Sequence, residues 1–167
     1  MPEGKKLGRV VLTNTSRVMY PGLNLTKLDV VEYYLRIAPR ILRHLGNRAL
    51  VLQRFPDGVN APGFYEKDAP AGTPAWVHLS RHHSESARRD LRYIVCDSPD
   101  TLIWLANLAA IELNIPLARL DDPESPDLLL FDIDPEPPAG FREGVTAAFA
   151  LRDMLTDLGL VPFVKTS

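Results

Sequence analysis

Asp127-Leu128-Leu129-Leu130-Phe131-Asp132-Ile133-Asp134 is the stretch on which the fold turns. Four apolar residues run into two carboxylates, and Pro135, Pro137, Pro138 and Gly140 stop the run, which predicts a short buried strand ending in acid. Alternate strand residues share a face, so Asp132 and Asp134 project to one side, ~6–7 Å apart along the chain. Like charges on one side of a buried strand end repel and lose hydration, and a divalent cation between them removes that cost. A solvated acidic pair at a strand end is the plain alternative, and the tripeptide alone leaves both open.

The flanking sequence supplies partners for such a strand. Downstream, Glu143 to Leu158 reads as a helix with Gly159 as its cap, and Val161 to Val164 as a further strand. Upstream, Ser98 and Pro99 start a predicted helix that runs to about Leu113 on a stripe of Leu102, Trp104, Leu105, Leu108, Ala109 and Leu113. Ala49 to Phe55, Trp76 to Ser80 and Leu91 to Cys96 read as strands, and Arg9 to Leu12 as a short one, with the charged stretch 81–90 as a loop. Thr26, followed by Asp29 in the capping-box position, opens a helix with apolar spacing to Leu45, closed by Gly46 and bent or divided at Pro39. The pattern predicts an α/β (α+β) fold over 1–167, a mixed sheet with flanking helices. Its last strand has almost nothing after it, which predicts an incomplete domain.

The chain has 167 residues, 46% hydrophobic and 24% charged, the balance of a globular protein able to bury a core. The longest uncharged apolar run, Thr101 to Ile111, is about half the ~20 residues a spanning helix needs. Cys96 is the only cysteine, so no disulfide scaffold is expected and a reducing cytoplasm fits; the N-terminus carries no apolar signal stretch. Net charge is −2, but residues 1–100 hold 15 Lys/Arg against 10 Asp/Glu, whereas residues 101–167 hold 4 against 11. The split suggests a basic surface for a polyanion beside an acidic cluster for cations, or simply two oppositely solvated faces.

Two further constellations could carry chemistry. Arg54-Phe55-Pro56-Asp57-Gly58 and Gly63-Phe64-Tyr65-Glu66-Lys67 set aromatics among cations in a Gly/Pro-rich loop, which suits base stacking beside phosphate neutralisation as well as ordinary packing. Asn14, Arg17 and Lys27 lie close to the start of the first helix, where free N–H groups and the dipole favour anions. His44, His78, His82 and His83 have no metal-ligand spacing, and Ser84 and Ser86 lack a nucleophile-elbow context. They read as surface or satisfied polar residues, and Cys96 as a small buried hydrophobe.

Leu12-Thr13-Asn14…Tyr20-Pro21, Arg54-Phe55-Pro56-Asp57-Gly58, Phe64-Tyr65-Glu66-Lys67-Asp68-Ala69-Pro70, Trp104-Leu105-Ala106-Asn107, Phe131-Asp132-Ile133-Asp134-Pro135 and Lys165-Thr166-Ser167 occur together in order. With these motifs the chain resembles the polymerase domain of the ligase D family, primase-polymerases of prokaryotic non-homologous end joining in the archaeo-eukaryotic primase superfamily. The resemblance implies that Asp132 and Asp134 bind catalytic Mn²⁺ or Mg²⁺, and that Phe64 and Tyr65 contact template and incoming nucleotide. It implies that Asn14, Arg17 and Lys27 hold a 5′-phosphate, that Gln53, Arg54 and Lys67 lie on the DNA surface, and that Asn114 and Ser167 lie at the triphosphate. NTP or dNTP, DNA ends with a 5′-phosphate, an ATP-dependent DNA ligase and a Ku-type end-binding protein follow as partners, in the cytoplasm at the nucleoid.

Three departures accompany it. Gln53 stands where the family often has lysine, and Asn114 where a histidine is usual. The rest of the Ser-Gly-x-Lys-Gly loop that Ser167 would begin, and a third metal-binding aspartate, are not in the sequence. Nucleotide addition by two-metal phosphoryl transfer is therefore weighed against a non-catalytic module that recognises phosphorylated DNA ends. A D-x-D phosphate-ester hydrolase, for which no nucleophile or general base is evident, is the third reading.

Overall fold

Thr26 and Asp29 form the expected reciprocal cap. The Asp29 N–H donates to the Thr26 hydroxyl at 3.3 Å, and the Thr26 N–H donates to the Asp29 carboxylate at 2.7 Å. From that cap α1 (Lys27–Leu45) buries Val30, Val31, Tyr34, Ala38 and Leu45, and Pro39 lies inside it without dividing it. The structure, a computed structural model, describes residues 4–165 and comprises two units, Met1–Leu128 and Leu129–Ser167.

The first unit begins with a hairpin of β1 (Lys6–Leu7) and β2 (Val10–Val11). A second antiparallel pair follows, β3 (Val18–Tyr20) and β4 (Leu25–Thr26), around a 3₁₀ turn at Pro21–Leu23. Beyond α1, β5 (Val51–Arg54) is the centre of a three-stranded antiparallel sheet, with β6 (Phe64–Glu66) on one edge and β9 (Ala110–Asn114) on the other. A long hairpin of β7 (His78–Ser84) and β8 (Arg89–Val95) precedes α2 (Pro99–Asn107). Leu12, Met19, Val31, Leu50, Leu52, Leu102, Ile103 and Leu105 are buried together where α1 and α2 meet the sheet. The Tyr34 hydroxyl points at the carbonyls of Ala110 and Ile111, each 2.9 Å away, which ties α1 to β9, and burial pushes its phenol well up.

Several predicted boundaries move. The helix predicted over 98–113 ends at Asn107, because the Asn107 side chain accepts from the Thr13 N–H at 2.9 Å and Ala109 takes a φ of 58°. Residues 110–114 then pair with β5 instead of continuing the helix. Phe64–Glu66, expected in a loop, is an edge strand, and stretch 81–90 belongs mostly to the β7–β8 hairpin. Gly58, at φ 91°, lets the Pro56-Asp57 turn approach β3: a Cβ there would lie 3.0 Å from the Val18 carbonyl oxygen.

In the second unit α3 (Phe141–Asp157) starts where the Glu143 carboxylate accepts from the Gly140 N–H at 2.7 Å, and Gly159 follows it at φ 77°. Gly144 on α3 meets the Ile133–Pro135 segment, where a Cβ would lie 3.4 Å from the Pro135 ring. The buried strand expected over 127–134 is not formed. Asp127 and Leu128 bond to Leu117 of the first unit, and 129–134 joins no ladder among the described residues, leaving Leu129 and Leu130 about two-thirds exposed. Val161–Val164 is likewise not a strand, and Phe163 is 91% exposed. Apolar residues of strand type form a strand only where a neighbour takes up their N–H and C=O groups.

Candidate nucleic-acid and nucleotide site

Register in the three-stranded sheet sorts the candidate residues by face. Gln53 opposes Tyr65 on one side and Glu112 on the other, and Val51 opposes Asn114. Alternation puts these five residues on one face, while Leu52, Arg54, Phe64 and Glu66 take the other. Phe64 and Tyr65 therefore point in opposite directions, 44% and 64% exposed, and neither belongs to the core. Gln53 does not reach outward as a free donor. With its amide nitrogen toward Glu112 it donates to both carboxylate oxygens, at 2.6 and 3.1 Å.

Arg54 is internally satisfied. Its Nε donates to the Leu108 carbonyl at 2.9 Å, its Nη1 pairs with Glu66 at 2.9 Å, and its guanidinium lies 5.3 Å from the Phe64 ring centroid. It fixes the exposed aromatic rather than presenting a free cation.

Near it sits Lys27, only 5% exposed, with its ammonium donating to the Asn107 carbonyl at 2.9 Å and no carboxylate in ion-pair range among the described residues. Burial, then the Arg17 and Arg54 charges, holds its pKa below the usual lysine value. Arg17 is more exposed and bonds to the Pro56 carbonyl and the Asp57 carboxylate. Asn14, at φ 50°, forms the turn that accepts the Arg17 N–H. The free helix N–H groups expected here are absent. Lys27 N–H donates to Arg17 O, Leu28 N–H to Thr15 O and Asp29 N–H to Thr26 Oγ1, so the first turn of α1 has no amide to spare. Any anion held here is held by side chains.

On the Tyr65 face, a cavity of about 360 Å³ is lined by Lys67, His82, Tyr93 and Asn114 over Ala49, Val51, Ile115 and Pro116. Lys67 and Asn114, far apart in sequence, thus line one cavity. Ser167 lies outside the described residues. Sequence reasoning missed Asn107, Glu66, Glu112 and His82, all of which touch or line these places. The pairing that brings them there depends on β-register, which a single sequence with two short edge strands does not reveal.

In the second unit Asp132 and Asp134 are exposed and have no side-chain hydrogen bond among the described residues. Their oxygens suit Mg²⁺ or Mn²⁺ by type. Among the described residues no third His, Cys, Asp or Glu gathers with them. Likewise, no described helix is long and apolar enough to cross a membrane.

The sequence profile of the family described as LigD, primase-polymerase domain, matches residues 26–167. The multifunctional non-homologous end joining DNA repair protein LigD of Mycobacterium tuberculosis is 36% identical over 95% of this chain. The bifunctional LigD of Bacillus subtilis is 27% identical over the same share. The chain spans 22% and 25% of those two proteins' lengths. Among solved structures, the polymerase domain from Mycobacterium tuberculosis ligase D in complex with DNA superposes with a TM-score of 0.83 at 34% identity, covering 95% of this chain and 57% of that one.

Proposed function

Because the chain belongs to the LigD primase-polymerase domain family, we propose that it serves non-homologous end joining as a DNA-end-binding primase-polymerase, adding nucleotides to a 3′ end at breaks or gaps that carry a 5′-phosphate. The observation that carries the end-binding part is Lys27: a nearly buried ammonium with one carbonyl partner and no carboxylate among the described residues, beside the Arg17 charge. Such a group gains from an anion what it lacks from the protein. Phe64 and Tyr65, exposed on opposite faces of β6, are read as stacking surfaces for the template and the incoming NTP or dNTP. Asn114 and Lys67 offer donors to phosphate, and Ser167 is assigned to the same role by resemblance alone.

Asp132 and Asp134 are assigned to Mn²⁺ or Mg²⁺ in two-metal phosphoryl transfer; when bound there, such ions supply charge neutralisation for the reacting phosphate. We read 1–167 as the N-terminal portion of a larger polymerase domain. The share of the solved polymerase domain that the chain covers, and the apolar runs 129–131 and 161–164 that join no ladder among the described residues, support this. An ATP-dependent ligase and a Ku-type end-binding protein are the partners this role calls for, in the cytoplasm at the nucleoid. The exposed, two-carboxylate 132–134 segment favours a second reading for this chain acting alone, a non-catalytic module for phosphorylated ends.

Fluorescence anisotropy at fixed salt, with recessed DNA ends carrying a 5′-phosphate or a 5′-hydroxyl, tests both readings. Tighter binding of the phosphorylated end, weakening as salt rises, is expected. Equal affinity would overturn the end-binding assignment.

A further inference from the structure

The polymerase reading assigns nothing to His82, yet the fold brings it to the nucleotide face. Leu50 N–H donates to the Ile94 carbonyl at 3.0 Å and Ala69 N–H to the Arg92 carbonyl at 2.7 Å, which draw the β7–β8 hairpin alongside the start of β5 and the residues after β6. His82 and Tyr93 thereby line the 360 Å³ cavity whose floor includes Ala49 and Val51. Asn114 enters from β9, and Lys67 from the residue just after β6. Backbones two strands apart are ~10 Å from each other, a gap that a lysine and an asparagine can close on one phosphate group.

The imidazole is held in place but not used up. One ring nitrogen, Nε2, lies 2.6 Å from the Ser80 hydroxyl, and the ring centroid is 6.2 Å from that of Tyr93. Nδ1 has no partner among the described residues. Lys67 has no carboxylate in ion-pair range among them, and no acid lines the cavity. The neighbouring histidines differ: His78 and His83 pair with Asp97 and Asp90 and do not line it. A lysine without a carboxylate partner among the described residues, beside the polar side chains of His82, Tyr93 and Asn114 and above an apolar floor, suits an anionic ligand that also carries an apolar body.

We propose that His82 is a phosphate-binding residue, forming with Lys67 and Asn114 a subsite for the phosphate of a nucleotide. The inference rests on the nucleotide-transfer reading and extends it to a residue from a different strand pair. The phosphate can belong to a nucleoside triphosphate or to a DNA strand, so both are offered in the test.

Binding of ATP and of pyrophosphate is measured by titration calorimetry, and binding of unphosphorylated single-stranded DNA by anisotropy. His82→Ala weakens at least one of these ligands by about fivefold or more, the effect of losing one charge-assisted hydrogen bond. Loss for ATP and pyrophosphate assigns the subsite to the triphosphate, and loss for DNA alone assigns it to the strand. His83→Ala leaves all three within about twofold, and adding Asn114→His to His82→Ala restores an imidazole to the same cavity and recovers most of the loss. His82→Gln, which keeps a side-chain partner for Ser80, repeats the result should the alanine variant lose its fold. Affinities of His82→Ala and His82→Gln within about twofold of the unaltered chain for every ligand, or no binding of any of them by the unaltered chain, overturn the proposal. The 5′-phosphate preference is read separately on Lys27 variants, so its failure and that of this subsite are distinct.

Discussion

Arg48 and Asp127 form a two-pronged ion pair across 79 residues of sequence, with Arg48 Nη2 at 2.6 and 2.7 Å from the two carboxylate oxygens and Nη1 donating to the Pro116 carbonyl at 3.1 Å. Arg48 is 4% exposed, so its charge is covered almost wholly by protein. The pair fastens the irregular stretch after β9 to the start of β5, and it lies five residues before Asp132.

Arg48→Met should lower the melting temperature by roughly 3–8 °C, because it leaves the Pro116 carbonyl and Asp127 without their donor. Hydrogen bonding from Arg48 holds the Asp127 carboxyl below its usual value of 3.8. With the folded pKa depressed, the pair's contribution is complete above 3.8 and fades as pH falls through the folded value. Thermal melts from pH 7 to pH 3 should therefore show a steeper acid loss in the unaltered chain than in Arg48→Met. Parallel curves would mean that Asp127 gains nothing from the pair.

Lys27→Met separates binding from stability. Its folded pKa lies below the unfolded value of 10.5, so the stability cost of burying the charge shrinks as pH rises toward 10.5. The variant loses that cost and also the donor to Asn107 O, and the melting temperature should move by less than about 3 °C. The preference for a 5′-phosphate over a 5′-hydroxyl end should fall about tenfold or more. A large drop in melting temperature with the preference intact would make Lys27 a structural residue only.

Phe64→Ala and Tyr65→Ala should each weaken single-strand or template contact by ~1–3 kcal/mol if the rings stack on bases. Because both rings are exposed, the melting temperature should change little, and less for Tyr65 than for Phe64, whose ring lies against Arg54. Variants that melt well below the unaltered chain but bind single-stranded DNA normally would return both residues to packing.

The Thr26–Asp29 box, the Ser98-Pro99 helix start and Gly159 after α3 are local signals, complete within four residues, and the fold keeps them. The end of α2 was not legible, because what stops it is Asn107 reaching Thr13, 94 residues away. The cavity shared by Lys67, His82 and Asn114 was hidden for the same reason: segments distant in sequence build it. Helical amides at α1 looked free only because the carbonyls that take them, those of Thr15 and Arg17, come from a preceding loop whose path has no periodic signal. Asp132 and Asp134 were legible as a pair, but strand formation around them was not, since it depends on a neighbour outside the tripeptide.

The 167-residue chain alone should extend primers poorly. Asp132 and Asp134 can gather a divalent ion, since adjacent like charges favour one. Two carboxylates, exposed and without a third ligating side chain among the described residues, would hold a divalent ion with fewer protein ligands than a two-ion site calls for. Phosphoryl transfer draws its rate from position and charge stabilisation, and each lost element costs orders of magnitude, on the order of 10²–10³. Gln53 adds to the deficit by spending its amide on Glu112, and Asn114 brings no charge to the cavity it lines. Primer extension with Mn²⁺ on a gapped, 5′-phosphorylated duplex measures this directly. A longer chain carrying a third aspartate and the Ser-Gly-x-Lys-Gly loop should gain templated addition, and Asp132→Ala should abolish that gain while leaving 5′-phosphate end binding unchanged. Robust extension by the 167 residues alone, surviving Asp132→Ala, would show that the D-x-D pair is a solvated acidic pair and that the chemistry lies elsewhere.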